Sequence, residues 1–152
     1  MRRAAGLLLA ALAAGVLAAC TSSGVRTAEP LPAVDACDER LHVICGLLLR
    51  SYAENKRLPA ALDELSAVAG PDEAPPLVCP VSQEPYAYDP AGLEVPGLPG
   101  RLVLYDSRPV HNGQRWGAFM LAPAPGRPVV FQVLPLSEDM LRSARPAALS
   151  GR

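Results

Sequence analysis

The residues of this sequence with chemistry to offer are four cysteines, two histidines and a small set of aromatic side chains. Cys20 closes an apolar run, Cys37 and Cys45 stand in a helix-like stretch, and Cys79 opens the pair Cys79-Pro80. Thiolates act as metal ligands, nucleophiles or disulfide partners. No Cys-x-x-Cys pair is present, so the spacing predicts neither zinc nor any other cofactor. On one continuous helix the Cα atoms of Cys37 and Cys45 would be about 12 Å apart, beyond the roughly 7 Å a disulfide can span. A bridge therefore has to use Cys79, with either Cys37 or Cys45. The competing reading of Cys45 is a small apolar residue within a helical stripe.

His42 and His111 are the only imidazoles. His42 precedes Cys45 by one helical turn, on a neighbouring face. A Cys–His nucleophile can be drawn from the two, but a thiol set among Leu and Ile is usually inert. Asp106, Ser107 and His111 suggest a catalytic triad by type. Nothing around Ser107 resembles a nucleophile elbow, so no catalytic residue is predicted and the chain is not expected to be an enzyme. Tyr86, Tyr105, His111 and Trp116 remain as a candidate surface for interaction, against the plainer reading that they cover a sheet face.

The elements that must position these groups follow from periodicity. Residues 35–56 are the strongest helix: Asp35 can cap it, Asp38 and Glu39 suit its first turn, and Cys37, Leu41, Ile44, Cys45, Leu48 and Tyr52 share one face. Val43, Leu47 and Leu49 are expected to widen that apolar arc. Residues 58–65 predict a short second helix with Pro59 in its first position. Short strands follow near Tyr86–Tyr88, at residues 102–105, 116–121 and 129–134. Turn signals separate them at Asp89-Pro90, Pro99-Gly100, Asn112-Gly113 and Pro125-Gly126. His111-Asn112-Gly113-Gln114 predicts a tight hairpin tip. Residues 137–144 predict a closing helix capped by Ser137, with a frayed tail beyond. The class is α+β: a long helix packed on a small antiparallel sheet of three to four strands, and a short C-terminal helix. Leu102, Leu104, Phe119, Leu121 and Val130 or Phe131 are expected to face the long helix.

The amino terminus has another logic. Arg2 and Arg3 precede an unbroken apolar run over residues 4–19, ending Leu17-Ala18-Ala19-Cys20 and followed by Thr21-Ser22-Ser23-Gly24. A basic start, an apolar middle and small residues before the cut form a secretory signal peptide. The run is shorter than the roughly 20 apolar residues of a membrane span. Leu-Ala-Ala-Cys resembles the lipobox of bacterial lipoproteins. That resemblance implies a diacylglycerol (palmitate-type chains) on the Cys20 thiol, cleavage just before Cys20, and a membrane as the first partner. Two or three acyl chains hold a protein on a bilayer stably where one does not. Thr21, in place of the Asp that often marks inner-membrane retention in that family, favours the outer membrane, on the periplasmic side. The expected organisation is a signal peptide over 1–19, a flexible tether over 20–34, one domain over 35–145 and a disordered tail over 146–152.

Composition excludes other classes. The chain has 152 residues and one lysine, Lys56, and its formal net charge of −1 becomes −3 once Arg2 and Arg3 leave with the leader. A nucleic-acid partner would need a basic face. Seventeen prolines spread across the chain argue against a helix bundle, and half the residues are apolar, too many for a disordered tail.

Several pieces in order carry a second resemblance: the helix running into Tyr52-Ala53-Glu54-Asn55, then Leu58-Pro59-x-x-Leu62-x-x-Leu65, Cys79-Pro80-x-Ser82-x-Glu84-Pro85-Tyr86-x-Tyr88, Leu104-Tyr105-Asp106 and His111-Asn112-Gly113. This order is similar to the periplasmic domain of pseudopilins, the prepilin-like proteins of type II secretion, over roughly residues 41–141. The chain lacks that family's basic leader before a Phe, its early Glu and its long polymerising helix. The family's calcium loop finds no counterpart either, because residues 121–135 contain no acid. The resemblance implies a non-catalytic envelope module that is accessory or interacts with other envelope or secretion-system proteins. The alternative is an exported small-ligand-binding protein or small enzyme using the Tyr, Trp and His residues of the sheet.

Overall fold

The computed structural model describes residues 35–70, 73–121 and 127–147. The expected signal peptide and tether, Cys20 and the last five residues lie outside the described residues, as do part of the loop at 70–76 and the expected Pro125-Gly126 turn. Among the described residues, no helix is long and apolar enough to cross a membrane.

The first helix, α1 (Ala36–Asn55), starts where the sequence places it. Asp35 accepts the Cys37 backbone N–H at 2.9 Å, and the first turn carries Asp38 and Glu39. This satisfies one of the helix's orphan donors and sets acids against its positive end. Lys56 ends the helix in a left-handed conformation, with its N–H returning to the Tyr52 carbonyl. Cys37, Leu41, Ile44, Cys45, Leu48 and Ser51 are buried. Val43 does not join that stripe: it is half exposed, on the outer side of the helix.

The second helical segment begins later than Pro59. A 3-10 turn (Leu62–Glu64) leads into α2 (Leu65–Ala69). Glu64 accepts the Ala61 N–H at 3.1 Å, so capping by this acid sets the start rather than proline.

Five antiparallel strands follow: β1 (Ala87–Glu94), β2 (Arg101–Tyr105), β3 (Gln114–Leu121), β4 (Val130–Ser137) and β5 (Arg145–Pro146). Their order in the sheet is β4-β3-β2-β1-β5. The three to four strands expected are thus exceeded by one short edge strand, which pairs Arg145 with Glu94 and Pro146 with Leu93. The ordered chain accordingly runs past residue 145, where the tail was expected. Between β4 and β5 lies α3 (Glu138–Ser143), capped by Ser137, whose hydroxyl accepts the Met140 N–H.

Two bulges correct the reading of the strands. Asp89-Pro90 is not a turn between elements but lies within β1, where the register with β2 shifts between Tyr88 and Leu93. Asp89 accepts the Ala91 N–H there, so turn chemistry is used inside a strand, at a place where Pro90 has no N–H to lose. A second shift falls between Leu102 and Leu104. An inserted residue reverses the parity of the side chains beyond it. Leu102 and Leu104 therefore end on opposite faces instead of sharing one.

The sheet is covered on both sides as a result. On one side Val103, Leu104, Ala118 and Met120 pack with the buried stripe of α1, Leu65, Cys79 and Tyr86. On the other, Leu102, Phe119, Leu136 and Val95 form a smaller cluster with Met140 and Leu141 of α3. Leu102 and Phe119, expected against the long helix, belong to this second layer.

Candidate functional site

Two loops, that of Cys79 and the β2–β3 connection, meet at the start of α1. Cys37 lies in the first turn of α1, two residues after the capping Asp35. Cys79 sits in a tight loop closed by the Val78–Pro85 bridge. Its N–H donates to the Glu84 carbonyl and its carbonyl accepts from Gln83, whose φ is +58°. The loop is held from two sides, since Arg40 donates to the Pro76 carbonyl and Ser107 donates to the Glu84 carboxylate. Asp106 directly follows β2. His111 is at the base of the β2–β3 hairpin tip, where it exchanges both backbone hydrogen bonds with Gln114. Asn112 and Gly113 have φ of +53° and +79°, as a two-residue primed turn requires.

These four side chains converge. One ligand-type atom from each of Cys37, Cys79, Asp106 and His111 lies within 4.8 Å of all the others. The two sulfurs are 3.0 Å apart and not bonded. Cys37, Cys79 and Asp106 are fully buried, and the His111 side chain is 12% exposed. Asp106 accepts the Trp116 backbone N–H on Oδ2 at 2.8 Å, while its Oδ1 is buried without a partner. The His111 ring bridges two acids, with Nδ1 2.9 Å from Asp35 Oδ2 and Nε2 3.3 Å from Asp106 Oδ2. Its Nε2 makes no hydrogen bond. The Tyr86 hydroxyl and the Trp116 indole N–H are buried orphans in the same region.

The electrostatics match this geometry. Burial pushes the Cys37 thiol up to about 12, and the adjacent Cys79 thiol adds to the effect. Burial, reinforced by Asp106, also pushes the Tyr86 phenol upward. Burial works against the charge on Asp35, but the Cys37 N–H, the Trp116 indole and His111 outweigh it and hold this carboxyl below its ordinary value.

The residues singled out by sequence divide among three places. Cys79 meets Cys37, whereas Cys45 is a free thiol buried in the main core, its pKa pushed up to about 12 by burial alone. Tyr86 is buried rather than on a surface, and His111 and Trp116 turn towards each other, ring centroids 6.3 Å apart. Tyr105 belongs to the layer on the opposite side of the sheet. The four do not form one surface patch. Two surface depressions, of about 190 and 390 Å³, lie by Ser51 and Glu64 and by Glu94 and Arg145, and none of the four lines either. His42 is exposed, its Nδ1 3.1 Å from an Asp38 carboxylate oxygen, away from buried Cys45. Ser107 is turned towards Glu84, so Asp106 and His111 have no serine nucleophile.

Sequence reasoning missed Asp106 and Asp35 as members of the cluster. One signal was present: Asp106 closes the apolar run of residues 102–105, a position where a carboxylate can be drawn into the interior by its neighbours. No family model, curated protein or solved structure matches the chain.

Proposed function

We infer that the chain is a lipid-anchored, non-catalytic protein of the cell envelope, held through Cys20, whose folded head is pseudopilin-like and serves as an accessory or protein-interaction module. The observation that carries this reading is the pairing of a lipobox with a head in which one uninterrupted helix, Ala36–Asn55, packs across an antiparallel meander. The element order is also the one in which the resembling segments occur: long helix, short helix, cysteine-bearing loop, strands.

The disposition of the reactive groups supports a non-catalytic role. The thiols, Asp106 and the Tyr86 hydroxyl are turned into the core, where a substrate has no access. A ligand-binding reading would need Tyr86, Tyr105, His111 and Trp116 around one concavity, and they are split between the two faces of the sheet.

Cross-linking in intact cells, followed by purification of the full chain from envelope fractions and mass spectrometry, tests the interaction role. The expected result is a reproducible set of cross-links between exposed head residues and envelope or secretion-system proteins. Recovery of the chain cross-linked to nothing but itself would contradict it.

A further inference from the structure

We propose that Cys37, Cys79, Asp106 and His111 form a buried structural Zn2+ site, with Asp35 orienting the histidine. The proposal is independent of the lipid anchor and of any partner.

A buried polar group without a partner is costly, and native structures contain few. Here Asp106 Oδ1 and His111 Nε2 are both orphans, within a few ångströms of two thiols. The histidine sharpens the point. With its Nδ1–H donated to Asp35, Nε2 carries a lone pair, and it faces Asp106 Oδ2 at 3.3 Å. That oxygen already accepts the Trp116 N–H. Two acceptors facing each other call for a proton or a metal cation between or beside them.

A disulfide between Cys37 and Cys79 would satisfy two sulfurs and leave both orphans in place. A proton on His111 would answer Nε2 but not Oδ1 or the thiols. One divalent ion answers all four. In a tetrahedral zinc site with Zn–S near 2.3 Å, ligand atoms stand roughly 3.3–3.8 Å from one another. The observed cluster, within 4.8 Å throughout and with sulfurs at 3.0 Å, reaches that arrangement by shifts of about an ångström or less. Two sulfurs, one imidazole and one carboxylate suit zinc and exclude the oxygen-seeking Ca2+ and Mg2+.

The surroundings are those of a structural site. Four protein ligands close the coordination sphere, leaving no open position for a substrate. Asp35, Nδ1 and Nε2 line up as the carboxylate–histidine–metal relay that fixes tautomer and ring orientation. Asp35 is also the N-cap of α1, and Cys37 lies in the same first turn, so one helix start holds both a ligand and the histidine's orienting carboxylate. Binding replaces the two thiol protons, which pass to solvent, and no electron is transferred.

The test uses the full chain, purified without chelator from whichever cell fraction holds it, with thiols trapped by acid quenching in a parallel sample. The expected result is about one zinc per chain by elemental analysis. Co2+ exchanged into the site should give sulfur-to-metal charge transfer near 300–400 nm and strong d–d bands near 600–750 nm, as tetrahedral thiolate sites do. Cys79→Ser and Asp106→Asn should lower metal content at least tenfold at a fixed free-zinc level, and Cys45→Ser should leave it unchanged. Should the ligand variants fail to fold, the cobalt spectra of the wild type and of Cys45→Ser still decide. A reduced wild-type chain that takes up neither zinc nor cobalt, or acid-trapped protein in which Cys37 and Cys79 are quantitatively joined, would overturn the proposal.

Discussion

At the scale of the residue, environment decides whether a thiol is a reagent or packing. Cys45 has no sulfur neighbour and a pKa pushed up to about 12 by burial, so at pH 8 roughly one molecule in ten thousand carries the thiolate. Iodoacetamide should leave Cys45 unmodified in the native protein and label it fully in urea, as read by peptide mass spectrometry. Native labelling at the rate of a free cysteine would contradict its placement in the core. Spacing arguments reach only contacts within one element, which explains what was legible here. They separated Cys45 from Cys37 and required Cys79 in any sulfur contact. They could not choose the partner, since the meeting sulfurs are 42 residues apart in the chain. Nor could they see that Asp106 and His111, five residues apart in the β2–β3 connection, arrive at the same point as the two thiols. The aromatic residues misled for a related reason. Tyr86 and Tyr105 look alike in sequence, and only the sheet's register puts them on different faces.

At the scale of the element, local rules worked wherever a single chemical cause dominated. The 3.6-residue period and the Asp35 cap placed α1, Asn112-Gly113 placed the hairpin tip, and Ser137 placed α3. They failed where a strand departs from its period. The shift between Leu102 and Leu104 reverses an alternation that sequence alone presents as regular, and Asp89-Pro90 reads as a turn although β1 runs through it. Gly100, between β1 and β2, shows how closely these strands approach. Its φ is +70°, and a Cβ there would run into the Met120 carbonyl of β3. Gly100→Ala should destabilise the fold by at least about 1–2 kcal/mol, the cost of a left-handed non-glycine residue, as measured by urea unfolding. Equal midpoints would contradict the register. The junction of β3 and α3 rests on charge, since Arg115 Nε donates to Glu138 at 2.6 Å. Hydrogen bonding from Arg115 holds the Glu138 carboxyl below its ordinary value. A carboxyl depressed by folding stabilises the native state above its unfolded pKa and loses that effect as pH falls through the folded value. Glu138→Gln should therefore unfold at lower urea than wild type at pH 7, with the gap narrowing as pH falls below the ordinary carboxylate range. A gap that stays constant as pH falls, or no gap at pH 7, would contradict the pairing.

At the scale of the whole molecule, a small domain covers its sheet on both sides and has little core to spare. Domains of this size are stable by only about 5–15 kcal/mol. Phe119 is fully buried in the smaller layer, between the sheet and α3. Phe119→Ala should cost about 3–5 kcal/mol, enough to lower the unfolding midpoint severely. A change below about 1 kcal/mol would mean that the second layer does not contribute as its packing implies. The two layers also account for the abundance of apolar residues among the described residues, where no helix is long and apolar enough to cross a membrane: they fill both faces of the sheet, while attachment to the bilayer is proposed for Cys20. That assignment is the central claim, because it determines where the head works and what it can meet. A radiolabelled-palmitate chase of wild type and Cys20→Ala, followed by envelope fractionation, tests it most directly. The account predicts label on the wild-type chain in the membrane fraction, and a Cys20→Ala chain that is unlabelled and no longer membrane-bound; an unlabelled wild type, or a variant that fractionates unchanged, would contradict it.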